Sequence, residues 1–195
     1  MSFVVVIPAR YDSTRLPGKP LLEIAGKSMI QRAWEGAKQS SADAVIVATD
    51  DRRIYEAARD FGAEAEMTSA DHSSGSDRVQ EVVQNLGLSL DQIVVNVQGD
   101  EPLLPPELIN RVAINLKKKA SAGIATLASA LTNDSDFNNP NVVKIVRDRD
   151  EFALYFSRSP IPQRLTPKNN AVGLKHIGIY AYRVGVLNEF VRWPV

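Results

Sequence analysis

Hydrophobic and polar positions along the chain fall into two alternating rhythms. Phe3-Val-Val-Val-Ile7 is an unbroken, β-branched run closed by Pro8, the pattern of a strand buried on both faces. Ala44 to Ala48 and Ile93-Val-Val-Asn-Val97 repeat it. Between these runs the spacing becomes i, i+3, i+4, i+7, in Ile54, Ala57, Ala58 and Phe61 and again in Val79, Val82, Val83 and Leu86. Each set describes one buried helix face, and each is followed by a glycine, Gly62 or Gly87, suited to end a helix. Ser28 with Gln31 three residues on predicts a capping box that opens a helix running to about Gln39. Pro105-Pro106 predicts a further helix start, with Leu108, Ile109, Val112 and Leu116 on its buried side.

Strand and helix therefore alternate through the first hundred residues, which predicts a largely parallel sheet covered on both faces. From Gly123 onward strands dominate the expectation, at Ile124 to Ala128, Val142 to Val146, Phe152 to Phe156 and Ile177 to Tyr182. Thr166 to Gly173 reads as an exposed polar loop. Pro8 to Pro20, with three prolines, a glycine and three cations, reads as a loop throughout. No internal repeat or composition break divides the chain, so one α/β domain is expected over 1–195, a three-layer sandwich with a mixed sheet and a β-rich insertion.

Composition narrows the function. The chain has 195 residues, enough to bury about 70% of its unfolded surface in one core. Twenty-three basic residues balance twenty-three acidic ones, so the surplus of positive charge that drives nucleic-acid binding is missing. There is no cysteine, which excludes a disulfide framework, a thiolate nucleophile and a zinc-thiolate cluster, and makes the cytosol the expected home. Phe3 to Ile7 is far too short for a membrane span and lacks the basic leader of a signal peptide, so no membrane or targeting segment is expected.

Candidate chemistry gathers at the ends of the strands, where ligands sit in open α/β sheets. Arg10, Arg15 and Lys19 follow the first strand, interleaved with Ala9, Ser13 and Gly18; arginine forks and a lysine point charge suit a polyphosphate. A solvated basic loop stiffened by prolines fits the same residues. Ala25-Gly-Lys-Ser28 resembles the end of a P-loop, but Leu21 stands where its first glycine belongs, and no strand is followed by Gly-x-Gly-x-x-Gly, so both common phosphate-loop motifs are excluded. Asp100, in Gln98-Gly-Asp-Glu-Pro102, ends the third strand at the same sheet edge, as a magnesium ligand or as part of a turn. In His72-Ser-Ser-Gly-Ser-Asp-Arg78 a hydroxyl of Ser74 or Ser76 caps the following helix, whereas Arg78, a cation in the first helical turn, suits a ligand better than a helix dipole. His176, Tyr180 and Tyr182 share one strand face by alternation, as a polar stripe for a hydroxyl-rich ligand or as core tyrosines. Two histidines in all are too few for a histidine metal centre.

Taken in order, Ile7 to Tyr11, Lys19 to Leu21, Val47 to Asp51, His72 to Arg78, Val95 to Pro102, Asn139 to Lys144, Ala153 to Pro160 and His176 to Arg183 resemble the CMP-Kdo synthetases, the 3-deoxy-manno-octulosonate cytidylyltransferases. The resemblance implies a nucleotide-diphospho-sugar transferase-like fold, and a reaction in which CTP and the acidic eight-carbon sugar Kdo give CMP-Kdo and pyrophosphate for lipopolysaccharide biosynthesis. Mg2+ is the implied cofactor and Asp100 its implied ligand. Arg10, Arg15 and Lys19 match the triphosphate loop; with Asp100 they form the implied catalytic set. Pro8, Ala9, Ser74, Arg78 and Gln98 complete the nucleotide side. Gln98, Arg158, His176 and Tyr180 match sugar contacts. CTP binding is expected from about 1–120, and sugar binding and dimerisation from about 121–195. Ser76 stands where the family usually has threonine. Family members continue beyond the position of Val195, through a dimerisation segment to a second magnesium-binding aspartate, and a cytoplasmic homodimer is implied for the family-length form. The same chemistry on 8-amino-Kdo or a sialic acid, and a nucleotide-binding protein without catalysis, remain open alternatives.

Overall fold

The computed structural model describes residues 2–12, 16–162 and 173–194. Arg15 and residues 166–172 of the loop expected over 166–173 lie outside the described residues, while Gly173 opens a strand rather than closing that loop. In chain order the elements are β1 (Val4–Ala9), β2 (Glu23–Ile24), β3 (Lys27–Ser28), α1 (Met29–Lys38), β4 (Ala44–Thr49), α2 (Arg52–Asp60), β5 (Glu64–Met67), α3 (Gly75–Asn85), β6 (Ile93–Asn96), α4 (Pro106–Lys118), β7 (Ile124–Leu131), α5 (Asp134–Asn138), β8 (Lys144–Arg147), β9 (Ala153–Ser157), β10 (Gly173–Arg183) and α6 (Val184–Phe190), with a 3-10 turn at Lys19–Leu21. Among the described residues no helix is long and apolar enough to cross a membrane.

The chain forms two compact units, 1–125 with 179–195, and 126–178. In the first, strands run in the order β5-β4-β1-β6-β10. β4, β1 and β6 are parallel neighbours, β5 is parallel to β4, and the last residues of β10 lie antiparallel to β6, Tyr180 opposite Asn96. Val4, Val6, Ile46, Ala48 and Val94 pack with Val79, Val82 and Val83 of α3 and with Leu187 of α6. The alternate residues Val5, Ile7, Val45, Val47 and Val95, also buried, face the other way, toward the side on which α1 and α4 contact the sheet. Helices on both faces explain why these strands carry apolar residues at nearly every position.

Both glycine stops form as expected. Gly62 (φ 88°) donates its N–H to Arg59 and is followed by Ala63 donating to Ala58; Gly87 (φ 62°) and Leu88 repeat this with Gln84 and Val83, the paired bonds that close a helix through a left-handed residue. Ser28 caps α1 by accepting from the Gln31 N–H, but the Gln31 amide turns to Glu35 at 3.1 Å instead of completing a capping box. The reciprocal box is made at α3, between Ser74 and Asp77. The P-loop look-alike is the turn of the β2–β3 hairpin, with positive φ at both Ala25 and Gly26, the geometry that matches strand twist.

Two expectations are corrected, and one strand forms where none was expected. The loop expected from Pro8 does not begin there: β1 continues through Pro8 and Ala9, paired with Ala48 and Thr49 of β4. Pairing of β1 with β6 ends at Val6–Asn96, two residues before Pro8, so the missing N–H costs that ladder nothing. The strand expected from Val142 starts at Lys144, because 139–142 forms a turn with the Val142 N–H on Asn139. β5, whose Glu64-Ala-Glu-Met67 carries no apolar run, forms as an edge strand on β4.

In the second unit, β8 pairs antiparallel with β9 and with the first residues of β10, Leu174 opposite Ile145. β7 pairs with β10. Leu131 and Phe137 form its small core with Val142 against them.

Candidate active site

The C-terminal ends of β1 and β6 open into a cleft of about 590 Å³ within the first unit. Pro8, Ala9, Arg10 and Lys19 line it from the first loop, Gln98 and Asp100 from the segment after β6, and Ser74 and Arg78 from α3. Every nucleotide-side residue expected from the sequence is therefore brought to one cavity, save Arg15, which lies outside the described residues.

Close backbone approach builds the floor. A Cβ at Gly99 would lie 3.1 Å from the Pro8 carbonyl oxygen and 3.2 Å from Ile30 Cδ1, so glycine lets the β6 loop lie closer to the end of β1 than a side chain would. This brings Asp100 to the basic loop, where its Oδ2 accepts from Lys19 Nζ at 2.6 Å. Both side chains are partly exposed, so their pairing is weak and open to exchange. The loop is tied at its stem: the Gly18 N–H donates to the Tyr11 carbonyl at 2.8 Å, and the Arg53 guanidinium lies 3.3 Å over the Tyr11 ring, itself held by Asp51 at 2.6 Å.

Arg78 is the surprise of the α3 wall. It is 3% exposed, donates through Nη2 to Asp50 Oδ2 at 2.9 Å and through Nη1 to the Thr68 hydroxyl. Asp50 follows β4 and Thr68 follows β5, so one guanidinium braces the ends of two strands in a residue that lines the cleft. A charge already partnered by a carboxylate serves better as a rigid donor for neutral acceptors than as a phosphate clamp. Ser74 spends its hydroxyl on the helix, accepting from the Asp77 N–H and donating to Asp77 Oδ2 at 2.8 Å.

His72 and Ser73, to which the sequence reading gave no role, also line the cleft. His72 Nε2 sits 2.5 Å from Glu81 Oε2, which accepts the Ser69 N–H as well. Burial raises the Glu81 pKa, but the Ser69 N–H and His72 outweigh it and hold this carboxyl below its ordinary value. Glu101, next to Asp100, is pushed up by burial and then by the Asp100 charge.

The expected sugar-side residues divide between the units. Gln98 lines the cleft, with its amide 3.4 Å from Asn96 Oδ1, and Tyr180 stacks on Tyr182 at 6.0 Å, whose hydroxyl lies 3.2 Å from Ser76 Oγ. Burial raises the Tyr180 pKa. In the second unit, His176 Nε2 is 2.9 Å from Thr126 Oγ1 and its ring meets Phe156 edge-on at 5.0 Å; burial lowers its pKa. Arg158 is exposed and donates to the Pro140 carbonyl at 2.9 Å.

A divalent cation can be tested against these donors. No group of three or more His, Asp or Glu side chains that could hold a metal occurs among the described residues, so no self-sufficient cage is present. Magnesium rarely requires one, since it binds through one or two carboxylates with waters and substrate phosphates. The cleft carboxylate Asp100, half exposed and facing the cationic loop, fits that mode.

Known proteins resemble this chain in sequence and fold. The family described as Cytidylyltransferase matches residues 4–195. A 3-deoxy-manno-octulosonate cytidylyltransferase of Cellvibrio japonicus is 57% identical over 100% of this chain and 80% of its own length, and one of Saccharophagus degradans is 51% identical with the same coverage. The solved structure of a CMP:2-keto-3-deoxy-manno-octonic acid synthetase complexed with CTP superposes with a TM-score of 0.92 at 43% identity, over 100% of this chain and 79% of that one.

Proposed function

The chain belongs to the cytidylyltransferase family, and we propose that it activates Kdo with CTP, giving CMP-Kdo and pyrophosphate for lipopolysaccharide biosynthesis. The observation that carries this reading is the single cleft at the ends of β1 and β6, with Arg10 and Lys19 on one side, Asp100 against them and the buried Arg78 on the third wall.

The anomeric hydroxyl of the sugar attacks the α-phosphorus and gives up its proton to solvent, the bond from that phosphorus to its bridging oxygen breaks, and pyrophosphate leaves in line. Such transfers need positioning and charge stabilisation more than covalent help. Arg10, Arg15 and Lys19 hold the β- and γ-phosphates and take up the charge of the leaving group. The nucleoside half falls to Pro8, Ala9, the α3 start at Ser74, Gln98 and Arg78, where a braced donor favours the uncharged base and ribose. The family resemblance assigns Gln98, Tyr180, Arg158 and His176 to the sugar acid, and the Arg158 guanidinium fork suits its carboxylate. Asp100 would hold Mg2+, which would supply charge neutralisation and Lewis-acid assistance when bound. A cysteine-free chain suits a reducing cytoplasm, and the family resemblance supports a homodimer.

Pyrophosphate release with CTP and magnesium, measured with and without Kdo, tests the reading: release only with Kdo is expected. CTP binding with no release on any acidic sugar would replace it with a nucleotide-binding role, and faster release with 8-amino-Kdo would reassign the substrate. Asp100→Asn is expected to abolish magnesium-dependent release with the melting temperature retained; normal release would remove Asp100 from the mechanism.

A further inference from the structure

Two cations are buried among the described residues, Arg78 and Lys144. Arg78 has Asp50. Lys144, 0% exposed, has no carboxylate partner among the described residues; its Nζ donates to the carbonyls of Asn139 at 2.9 Å, Val142 at 2.6 Å and Arg158 at 2.6 Å. Burying a lone ammonium is costly, and a hydrocarbon of similar size would pack there at lower cost. What the ammonium alone can do is tie three carbonyls together, using all three of its donors.

Those carbonyls belong to two segments. One is the turn 139–142 that enters β8; the other is Arg158, just past the end of β9. Lys144 stands opposite Ser157 in the β8–β9 ladder, one residue from Arg158. The Arg158 guanidinium in turn donates from Nη1 to Pro140, inside the turn that Lys144 pins at Asn139 and Val142. Backbone and side chain of Arg158 are thus both referred to one buried ammonium. Its positive charge is solvated by dipoles rather than cancelled, so it adds to a field that favours an anion.

We propose that Lys144 is a positioning residue for Arg158, setting the direction of its guanidinium and with it the affinity for the sugar carboxylate. The proposal rests on the reading that Arg158 binds the acidic sugar. Three variants of the whole chain separate the two: Lys144→Met, Arg158→Ala and the double substitution, each assayed for pyrophosphate release while Kdo and CTP are varied in turn. Lys144→Met is expected to raise the KM for Kdo about 10- to 100-fold, the scale of loss for a misplaced binding group, with the KM for CTP unchanged. Arg158→Ala should do the same, and the double variant should be no worse than Arg158→Ala alone, because one residue acts through the other. An unchanged Kdo KM in Arg158→Ala overturns the reading of Arg158 and the proposal with it. A raised Kdo KM in Arg158→Ala, with no change in Lys144→Met or with multiplying effects in the double variant, overturns the positioning role alone. Should Lys144→Met lose CTP binding and its melting transition, Lys144→Gln, which keeps two donors, is read on the same scale with the same two outcomes.

Discussion

Replacing Asp50 by alanine strands the Arg78 guanidinium. In the native chain the Arg78 side chain is 4% exposed and that of Asp50 19%, with 2.9 Å between Nη2 and Oδ2. Removing one partner of a buried pair costs about 3–5 kcal/mol, because the other charge is left uncompensated. The Thr68 hydroxyl stays bonded to Nη1, and the partial exposure of Asp50 lets water take its place, which puts the cost near the lower limit, about 3 kcal/mol. For a chain of this size each kcal/mol moves the midpoint by roughly 2–4 °C, so Asp50→Ala should melt about 6–12 °C below the parent by calorimetry. Asp50→Ala with Arg78→Met should melt higher than Asp50→Ala alone, since the cost lies in the stranded charge and not in the missing contact. A drop smaller than about 2 °C in the single variant, or simple addition in the double one, would refute the assignment of Arg78 as a strand-end brace.

Three further outcomes are expected. Lys19→Ala removes a charge-assisted bond worth about 1.5–3 kcal/mol and should weaken CTP binding roughly 10- to 150-fold by calorimetry while sparing sugar affinity; equal losses for both substrates would contradict its place on the triphosphate. Gly99→Ala sets a Cβ 3.1 Å from the Pro8 carbonyl, and the forced separation of the two loops should cost about 1–3 kcal/mol in a denaturant titration, with activity falling as Asp100 moves away from Lys19. His176 has its pKa lowered from 6.5 by burial, so the folded chain resists protonation there. The corresponding stability is full above the unfolded value and is lost as the pH falls through the lowered folded one; melting curves between pH 7 and pH 4 should show this loss, and His176→Gln should flatten it.

The parts of the site legible in the sequence are those set by local rules. A β-branched run ending in proline, followed by three cations, can only be a strand delivering a charged loop. Asp100 ends an equivalent run at the same sheet edge, although its pairing with Lys19 depends on β6 lying beside β1, which only the fold decides. A serine cap was legible from the helix that follows, as Ser74 or Ser76, and the fold uses Ser74. Arg78 was singled out by its unfavourable place on the helix dipole, but the partners that compensate it were not visible: Asp50 lies twenty-eight residues away and Thr68 follows another strand. Glu81, which fixes His72, sits on a helix face that periodicity marks only as polar.

Sequence by itself determined the alternation of strands and helices, the glycine stops, the excluded phosphate motifs and the edge of the sheet where chemistry gathers, because backbone preference and burial period act over a few residues. Tertiary structure alone decided that β1 runs on through Pro8, that Glu64 to Met67 becomes a strand, and that two buried cations are held in opposite ways, Arg78 by a carboxylate and Lys144 by three carbonyls. The physical reason is the same in each case. A missing donor, a polar strand or a buried charge is tolerable only when distant segments supply its partners, and that supply is a property of the assembled fold.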